Sequence, residues 1–205
     1  MTKRVAQLSA IAVIALIAFV LVLVFRPPGE DRFAECTGSR IAGGNGLIGG
    51  SFELTNQFGQ VVTDRDVIIK PSLIYFGYTF CPDVCPLDTA RNAEAVDLLD
   101  AVGFDVTPVF ISIDPERDTP EVLADYVAYT HEKMIGLTGT PQQVKAVSKA
   151  FKTFYRKAGE GPDYLMDHST FTYLMLPDFG FADFFRRDLS PSDLADRVAC
   201  FARAM

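Results

Sequence analysis

A long apolar run near the start of the chain places the strongest constraint on the structure and location of this protein. Residues 5–25 (VAQLSAIAVIALIAFVLVLVF) contain no charged residue and no proline. As an α-helix, the run would be about 31 Å long, which matches the ~30 Å hydrocarbon core of a bilayer. Lys3 and Arg4 precede it, and this basic flank favours an N-terminus in the cytoplasm. The sequence therefore predicts a single transmembrane helix, with residues 1–26 as a membrane anchor.

A cleavable signal peptide is the alternative interpretation of the same run. The apolar region of such a peptide is usually about 7–15 residues long and ends in small residues. Here the run is longer, and Arg26 and Pro27 follow it. The four residues that precede the run leave no room for an Arg-rich organellar transit peptide. We therefore expect an uncleaved anchor in a bacterial inner membrane, with the C-terminal domain in the periplasm.

The composition narrows the classes of protein to which the rest of the chain can belong. Of the 205 residues, 49% are hydrophobic, which excludes a disordered chain because enough apolar surface is available for collapse. The net charge is −7 and no basic block is present, which argues against nucleic acid as a partner. Glycines are frequent in residues 27–50, which we interpret as a flexible linker, and residues 51–205 are long enough for one domain.

The pattern within that domain predicts an α/β fold. Residues 52–63 favour a β-hairpin, and strands and helices then alternate. The predicted strands are 72–78, 106–113, 170–176 and 181–186, and the predicted helices are 84–102, 119–131, 140–151 and 190–204. This order is typical of a thioredoxin-like domain with an N-terminal β-hairpin, although it does not reveal the order of the strands in the sheet.

Two cysteines follow the first buried strand. Cys81 and Cys85 are four residues apart, so on a helical turn their Cβ atoms would lie about 5–6 Å apart. The start of the next helix carries partial positive charge, which favours the thiolate form. The pair can bind one soft metal ion, act as a redox dithiol, or form a structural disulfide. Thioredoxin-type redox sites have two intervening residues, whereas this site has three.

His168 is the third candidate ligand. A lone histidine at the entry to a strand is more often a satisfied polar residue than a ligand. If the late strand lies beside the first one, however, His168 reaches the cysteine loop. Two thiolates and an imidazole suit Cu(I), and a fourth ligand would allow Cu(II), whereas zinc usually takes four ligands.

Three segments together resemble the Sco/SenC family. They are YFGYTFCPDVCP (residues 75–86), ISIDPERDTPEVL (111–123) and YLMDHS (164–169). The family consists of membrane-anchored, thioredoxin-like copper proteins that assist assembly of the CuA centre of cytochrome c oxidase. The resemblance covers about residues 50–204.

The resemblance implies roles for five residues. Cys81 and Cys85 would supply thiolates to copper and His168 an imidazole. Asp167 would tune the site or contact a partner, and Asp114 would have a weaker supporting role. The family usually has a polar residue before the first cysteine, where this chain has Phe80.

The resemblance also implies partners and a function. The expected protein is a periplasmic copper chaperone that serves subunit II of cytochrome c oxidase, which contains the CuA domain, and that receives copper from an upstream periplasmic donor. The alternative is a thiol-disulfide oxidoreductase that keeps the cysteines of subunit II reduced. An anchored scaffold with an inert disulfide is a third reading, and whether the protein is an enzyme stays open.

Two further groups of residues each allow two interpretations. Cys36 and Cys200 can form a disulfide in an oxidising compartment, or they can remain free thiols, with Cys200 packed in the core. Glu116, Arg117 and Asp118 are interpreted as a solvated loop, with a docking rim as the alternative.

Overall fold

A computed structural model describes residues 15–21, 32–38 and 45–205 of the chain, and it divides into two units, Met1–Ala34 and Glu35–Met205. In the first unit, residues 15–21 are helical. A search of the described residues finds no helix with the length and apolar character needed to cross a bilayer. The remainder of the predicted anchor helix, and residues 27–31 and 39–44 of the predicted linker, fall outside the described residues.

The second unit contains the predicted alternation of strands and helices. Its strands are β1 (Glu53–Asn56), β2 (Val61–Thr63), β3 (Ser72–Gly77), β4 (Thr107–Ser112), β5 (Ile135–Thr138), β6 (Tyr155–Ala158), β7 (Leu165–His168), β8 (Thr172–Leu176) and β9 (Gly180–Phe185). Its helices are α1 (Asp64–Val67), α2 (Val84–Ala101), α3 (Pro120–Thr130), α4 (Pro141–Ala150) and α5 (Pro191–Arg203), and a 3-10 turn spans Asn45–Leu47.

Three of the helices begin in the same way, with a hydroxyl residue followed by proline. The side chains of Thr119, Thr140 and Ser190 each accept a hydrogen bond from a backbone N–H three residues further on. Proline at the first helical position costs nothing, because its missing N–H would have no partner within the helix. The predicted starts of α3, α4 and α5 are therefore confirmed.

Seven strands form one sheet, in the order β2-β1-β5-β4-β3-β8-β9. The two central strands, β3 and β4, are parallel and buried along their whole length. They therefore appear in the sequence as continuous apolar runs rather than as an alternating pattern. Strands β1 and β2 form the predicted N-terminal hairpin, and β8 and β9 form the predicted closing hairpin.

The order of the strands decides which loops meet. β3 and β4 run in parallel, with Gly77 opposite Ser112, so the loops that follow them leave the same edge of the sheet. β8 runs antiparallel to β3, with Thr172 opposite Tyr75, so the chain that enters β8 arrives at that same edge. The cysteine loop, the loop after β4 and the segment before β8 are thereby brought together.

A second, two-stranded sheet was not predicted from the sequence. Strands β6 and β7 pair antiparallel, with Tyr155 opposite His168 and Ala158 opposite Leu165. Both strands are short and only partly buried, and β6 contains Arg156 and Lys157. Neither strand therefore shows the alternation of apolar and polar residues on which strand prediction depends. We call residues 155–168 the ligand hairpin, because it ends at His168.

A disulfide joins Cys36 to Cys200 of α5, with the Cα atoms 5.6 Å apart. Next to it, the backbone N–H of Gly38 donates to a carboxylate oxygen of Asp183 at 2.9 Å, and Arg197 pairs with the same oxygen. A short part of the predicted linker is thus fastened to α5 and β9.

Candidate metal centre

The cysteine loop connects β3 to the start of α2. Asp83 occupies the N-cap position of α2, but its side chain makes no capping hydrogen bond. Instead, the Sγ atom of Cys81 accepts a hydrogen bond from the backbone N–H of Cys85 at 3.4 Å. Pro86 lies in the first turn, where its missing N–H leaves no gap in the helix. The sulfur of Cys81 therefore occupies the place of a capping oxygen, at the positive end of the helix.

The two thiols differ in their acidity. Burial opposes ionisation of Cys81, but backbone N–H groups of Cys85, Asp83 and Val84 outweigh it and lower the pKa of this thiol below its usual value of 9.0. Cys85 is completely buried, and this burial raises the pKa of its thiol well above 9.0. Cys81 therefore carries more thiolate near neutral pH, whereas Cys85 keeps its proton.

His168 presents a bare nitrogen to these sulfurs. Its Nδ1 atom lies 2.8 Å from the carbonyl oxygen of Ser169, and because a carbonyl can only accept, Nδ1 carries the proton. Nε2 is then unprotonated and lies 3.4 Å from the Sγ atom of Cys85. Burial lowers the pKa of His168, which keeps the imidazole neutral. The rings of Tyr75 and Tyr78 pack against the imidazole in T-shaped arrangements, at centroid distances of 6.3 and 5.9 Å.

One ligand atom each from Cys81, Cys85 and His168 lies within 4.8 Å of the other two. This separation is about twice the length of a metal–thiolate bond of ~2.3 Å, so one ion can contact all three after a small contraction. Two thiolates and a neutral imidazole form a soft donor set. Both cysteines are free thiols in this structure, which is the state that metal binding requires.

Three residues near Cys85 were given no role of their own by the sequence analysis. A Cβ atom on Gly77 would lie 3.0 Å from the Sγ atom of Cys85 and 2.9 Å from the ring of Phe110, so only glycine lets the sulfur approach β3. The hydroxyl of Tyr75 donates to the buried carboxylate of Asp88 at 3.0 Å. Tyr75 and Gly77 lie in an apolar strand pattern and Asp88 in a helical one, so the local pattern alone does not reveal these contacts.

The structure does not bring Asp167 to the sulfurs. Successive residues of a strand point to opposite faces, so Asp167 faces away from His168 and pairs with Arg156 at the surface. Its negative charge still acts on His168, since it raises the pKa of the imidazole against the stronger effect of burial. A role for Asp167 in tuning the site or in contacting a partner stays a prediction.

The loop after β4 is not the solvated segment that its charges suggest. Asp118 is completely buried and accepts hydrogen bonds from the hydroxyl groups of Ser112, at 2.5 Å, and Thr79, at 2.6 Å. The side chain of Arg117 is only 15% exposed and pairs with the buried Asp114. The interpretation of Arg117 and Asp118 as solvated was wrong, because charge alone does not reveal that these side chains satisfy one another inside the fold.

The difference between the two thiols leads to a prediction about their reactivity. In the reduced chain, iodoacetamide should modify Cys81 at least about tenfold faster than Cys85, because one pKa unit changes the thiolate fraction tenfold and Cys85 is also buried. Mass spectrometry of peptides from a time course measures both rates. The variants Cys81→Ser and Cys85→Ser serve as controls, and equal rates would contradict the assignment.

The sheet order, the cysteine loop and His168 together define a thioredoxin-like domain with a Cys-Cys-His site. The family model described as SCO1/SenC matches residues 42–203. Protein SenC of Rhodobacter capsulatus is 51% identical over 210 residues, which cover all of this chain and 93% of that protein. The chain therefore belongs to the SCO1/SenC family.

Solved structures of relatives agree with this assignment. Arabidopsis thaliana ScoI with copper bound matches with a TM-score of 0.74 and 41% identity, covering 77% of this chain and 99% of that chain. Yeast Sco1 with copper bound matches with a TM-score of 0.72 and 34% identity, covering 77% of this chain and 90% of that chain. The predictions of the family and of the thioredoxin-like fold are thus confirmed.

Proposed function

We propose that this protein is a copper chaperone that holds one copper ion between Cys81, Cys85 and His168 and assists assembly of cytochrome c oxidase. The observation that carries the proposal is the approach of the three ligand atoms to within 4.8 Å of one another. The soft donor set favours Cu(I), and two relatives of this fold have been solved with copper bound.

The environment of each ligand suits uptake and release of the ion. His168 is already neutral and oriented by Ser169, so its nitrogen can bind without losing a proton. Cys85 must give up its proton when copper binds. Cys81 is partly exposed, so a thiolate or imidazole from a partner can approach the ion from this side and replace the chaperone's ligands one at a time.

The partner and the location of the protein follow from the family and the N-terminal sequence. We propose that the acceptor is the CuA domain of subunit II of the oxidase and that an upstream periplasmic donor supplies the copper. The apolar run at residues 5–25 would anchor the chain in the bacterial inner membrane and hold the domain in the periplasm.

A second function is favoured by the unequal thiols. Cys81 is partly exposed and has the lower pKa, as expected of the attacking thiol in disulfide exchange, and Cys85 is buried behind it as a resolving thiol. The alternative proposal is therefore a thiol-disulfide oxidoreductase that reduces the cysteines of subunit II. In that reaction the pair would be oxidised to a disulfide as the partner's disulfide is reduced.

The substitution His168→Ala separates the two functions. The full-length chain in detergent, reduced and free of oxygen, should bind one Cu(I) per chain, and His168→Ala should weaken this binding at least about 100-fold, as expected for the loss of one ligand worth roughly 3 kcal/mol. The reduction potential of the cysteine pair, measured by redox titration, should change little. If His168→Ala cells assemble an active oxidase normally, the copper role is contradicted and the oxidoreductase role is favoured.

A further inference from the structure

The three candidate ligands belong to two separate parts of the fold. Cys81 and Cys85 follow a central strand of the seven-stranded sheet, whereas His168 ends the ligand hairpin. Within the described residues, β6 and β7 pair only with each other. At the base of this hairpin, Ser169 and Phe154 exchange two hydrogen bonds. Contacts that hold the rest of the hairpin therefore add to those at its base in fixing the position of the imidazole relative to the sulfurs.

Arg117 makes several of the contacts that span these two parts. Its Nε atom donates to Asp114 at 2.6 Å, and its Nη1 atom donates to the carbonyl oxygen of Pro162, in the turn of the hairpin, at 3.2 Å. The guanidinium carbon lies 3.6 Å from the ring centroid of Tyr164 and 4.7 Å from that of Phe80, which precedes Cys81. One side chain thus touches both the turn of the ligand hairpin and the cysteine loop.

Tyr164 completes the connection from the side of the hairpin. Its hydroxyl donates to the Oδ1 atom of Asp114 at 2.6 Å, and this carboxylate also accepts the bond from Arg117 through Oδ2. Lys157 of β6 lies 3.6 Å from the centroid of the same ring. Asp114 and Tyr164 are both almost completely buried, so these hydrogen bonds are shielded from competing water.

A further contact leads from Arg117 to the candidate ligand itself. The guanidinium carbon lies 5.8 Å from the ring centroid of Tyr78, and the ring of Tyr78 packs edge to face on His168 at 5.9 Å. The contacts of Arg117 therefore restrain His168 along two routes, through the hairpin and through Tyr78.

We propose that Asp114, Arg117 and Tyr164 form a latch that fastens the ligand hairpin to the body of the domain, with Arg117 as the positioning residue for His168. The proposal deepens the proposed function, on which it rests for its effect on copper. A site of this kind needs its ligands held to within about 0.5 Å, so a small tilt of the hairpin is enough to weaken the third bond.

The latch requires arginine rather than any cation. The planar guanidinium stacks on Tyr164 while it donates in its own plane to Asp114 and Pro162. A lysine ammonium keeps the charge but cannot stack and donate in two fixed directions at once. Arg117→Lys therefore breaks the latch with little change in charge, and Tyr164→Phe removes only the hydroxyl that bonds to Asp114.

The first test uses the copper-free, reduced, full-length chain in detergent. Arg117→Lys and Tyr164→Phe should speed hydrogen–deuterium exchange of the amides in residues 155–168 by about tenfold or more, as expected when a hydrogen bond to a charged group is lost. Amides of the central strands should exchange as before. Arg156→Ala is the matched control, because it removes the ion pair between Arg156 and Asp167 from the exposed face of the same hairpin. Unchanged exchange in the hairpin of Arg117→Lys would overturn the latch.

The second test asks whether the latch acts through His168. Arg117→Lys should weaken Cu(I) binding about tenfold in the native chain, the lower end of the range for groups that support a metal ligand. In the His168→Ala background the same substitution should have no further effect. An equal loss in both backgrounds would show a general effect on the domain and would overturn the positioning role.

The two tests keep the latch and the proposed function distinct. If the native chain binds no copper while Arg117→Lys still frees the hairpin, the proposed function fails and the latch stands. If the native chain binds copper through His168 and Arg117→Lys changes neither exchange nor affinity, the latch fails and the proposed function stands.

Discussion

The variant Cys85→Ser is expected to bind Cu(I) much more weakly than the native chain. Structural zinc sites gain about 10–16 kcal/mol from four ligands, which corresponds to roughly 3 kcal/mol per ligand and to a loss of at least about 100-fold in affinity. A hydroxyl is in addition a poor ligand for a soft ion. Competition with a Cu(I) chelator, under exclusion of oxygen, measures the change. Retention of one tightly bound copper per chain would contradict the assignment of Cys85.

The same ligand predicts how copper affinity depends on pH. Because burial raises the pKa of Cys85, its thiol is protonated at neutral pH and copper must displace that proton. Protons compete with the ion, so affinity should rise at least about tenfold for each unit from about pH 6 to pH 8. His168 contributes less to this slope than an exposed histidine would, because burial lowers its pKa below the usual 6.5. In Cys85→Ser, copper binding should release about one proton fewer, so the affinity should rise about tenfold less for each pH unit.

Replacement of both Cys36 and Cys200 by serine should destabilise the domain strongly. The two cysteines are 164 positions apart, and closing a loop of that length in the unfolded chain is worth about 3–5 kcal/mol. Chemical denaturation followed by circular dichroism should show a correspondingly lower free energy of unfolding. The copper affinity should stay close to that of the native chain, because neither cysteine is among the three candidate ligands.

A reductant supplies the control for this experiment. A thiol reagent strong enough to open the disulfide should shift the denaturation midpoint of the native chain toward that of the double variant. It should leave the midpoint of the double variant unchanged, because Cys81 and Cys85 are already free thiols. A stabilising role for the disulfide would be contradicted if the reductant left the denaturation midpoint of the native chain unchanged and the double variant were as stable as the native chain.

Local patterns accounted for most elements of the main sheet. Apolar runs marked β3 and β4, which are buried on both faces, and hydroxyl–proline pairs marked the starts of α3, α4 and α5. These features depend on interactions between neighbours in the chain, so they are visible in the sequence. The ligand hairpin was not visible, because its short, polar strands are stabilised by contacts with distant residues.

The candidate site shows the same division. Local geometry accounts for the start of a helix after Cys81. It also accounts for the position of the Cys81 sulfur at the positive end of that helix. The pairing of Arg117 with Asp114 and the burial of Asp118 do not, because charged side chains are usually exposed unless partners are supplied by the fold. The latch was therefore overlooked in a loop whose composition is typical of the surface.

The sequence by itself determined the two cysteines on one turn, their soft chemistry and the family to which the chain belongs. Only the tertiary structure decided that β8 lies antiparallel beside β3, which brings His168 to 3.4 Å from a sulfur 83 positions away. It also decided which of the four cysteines are paired. The physical reason is that strand order and register depend on the packing of the whole core, whereas the spacing of residues along one turn does not.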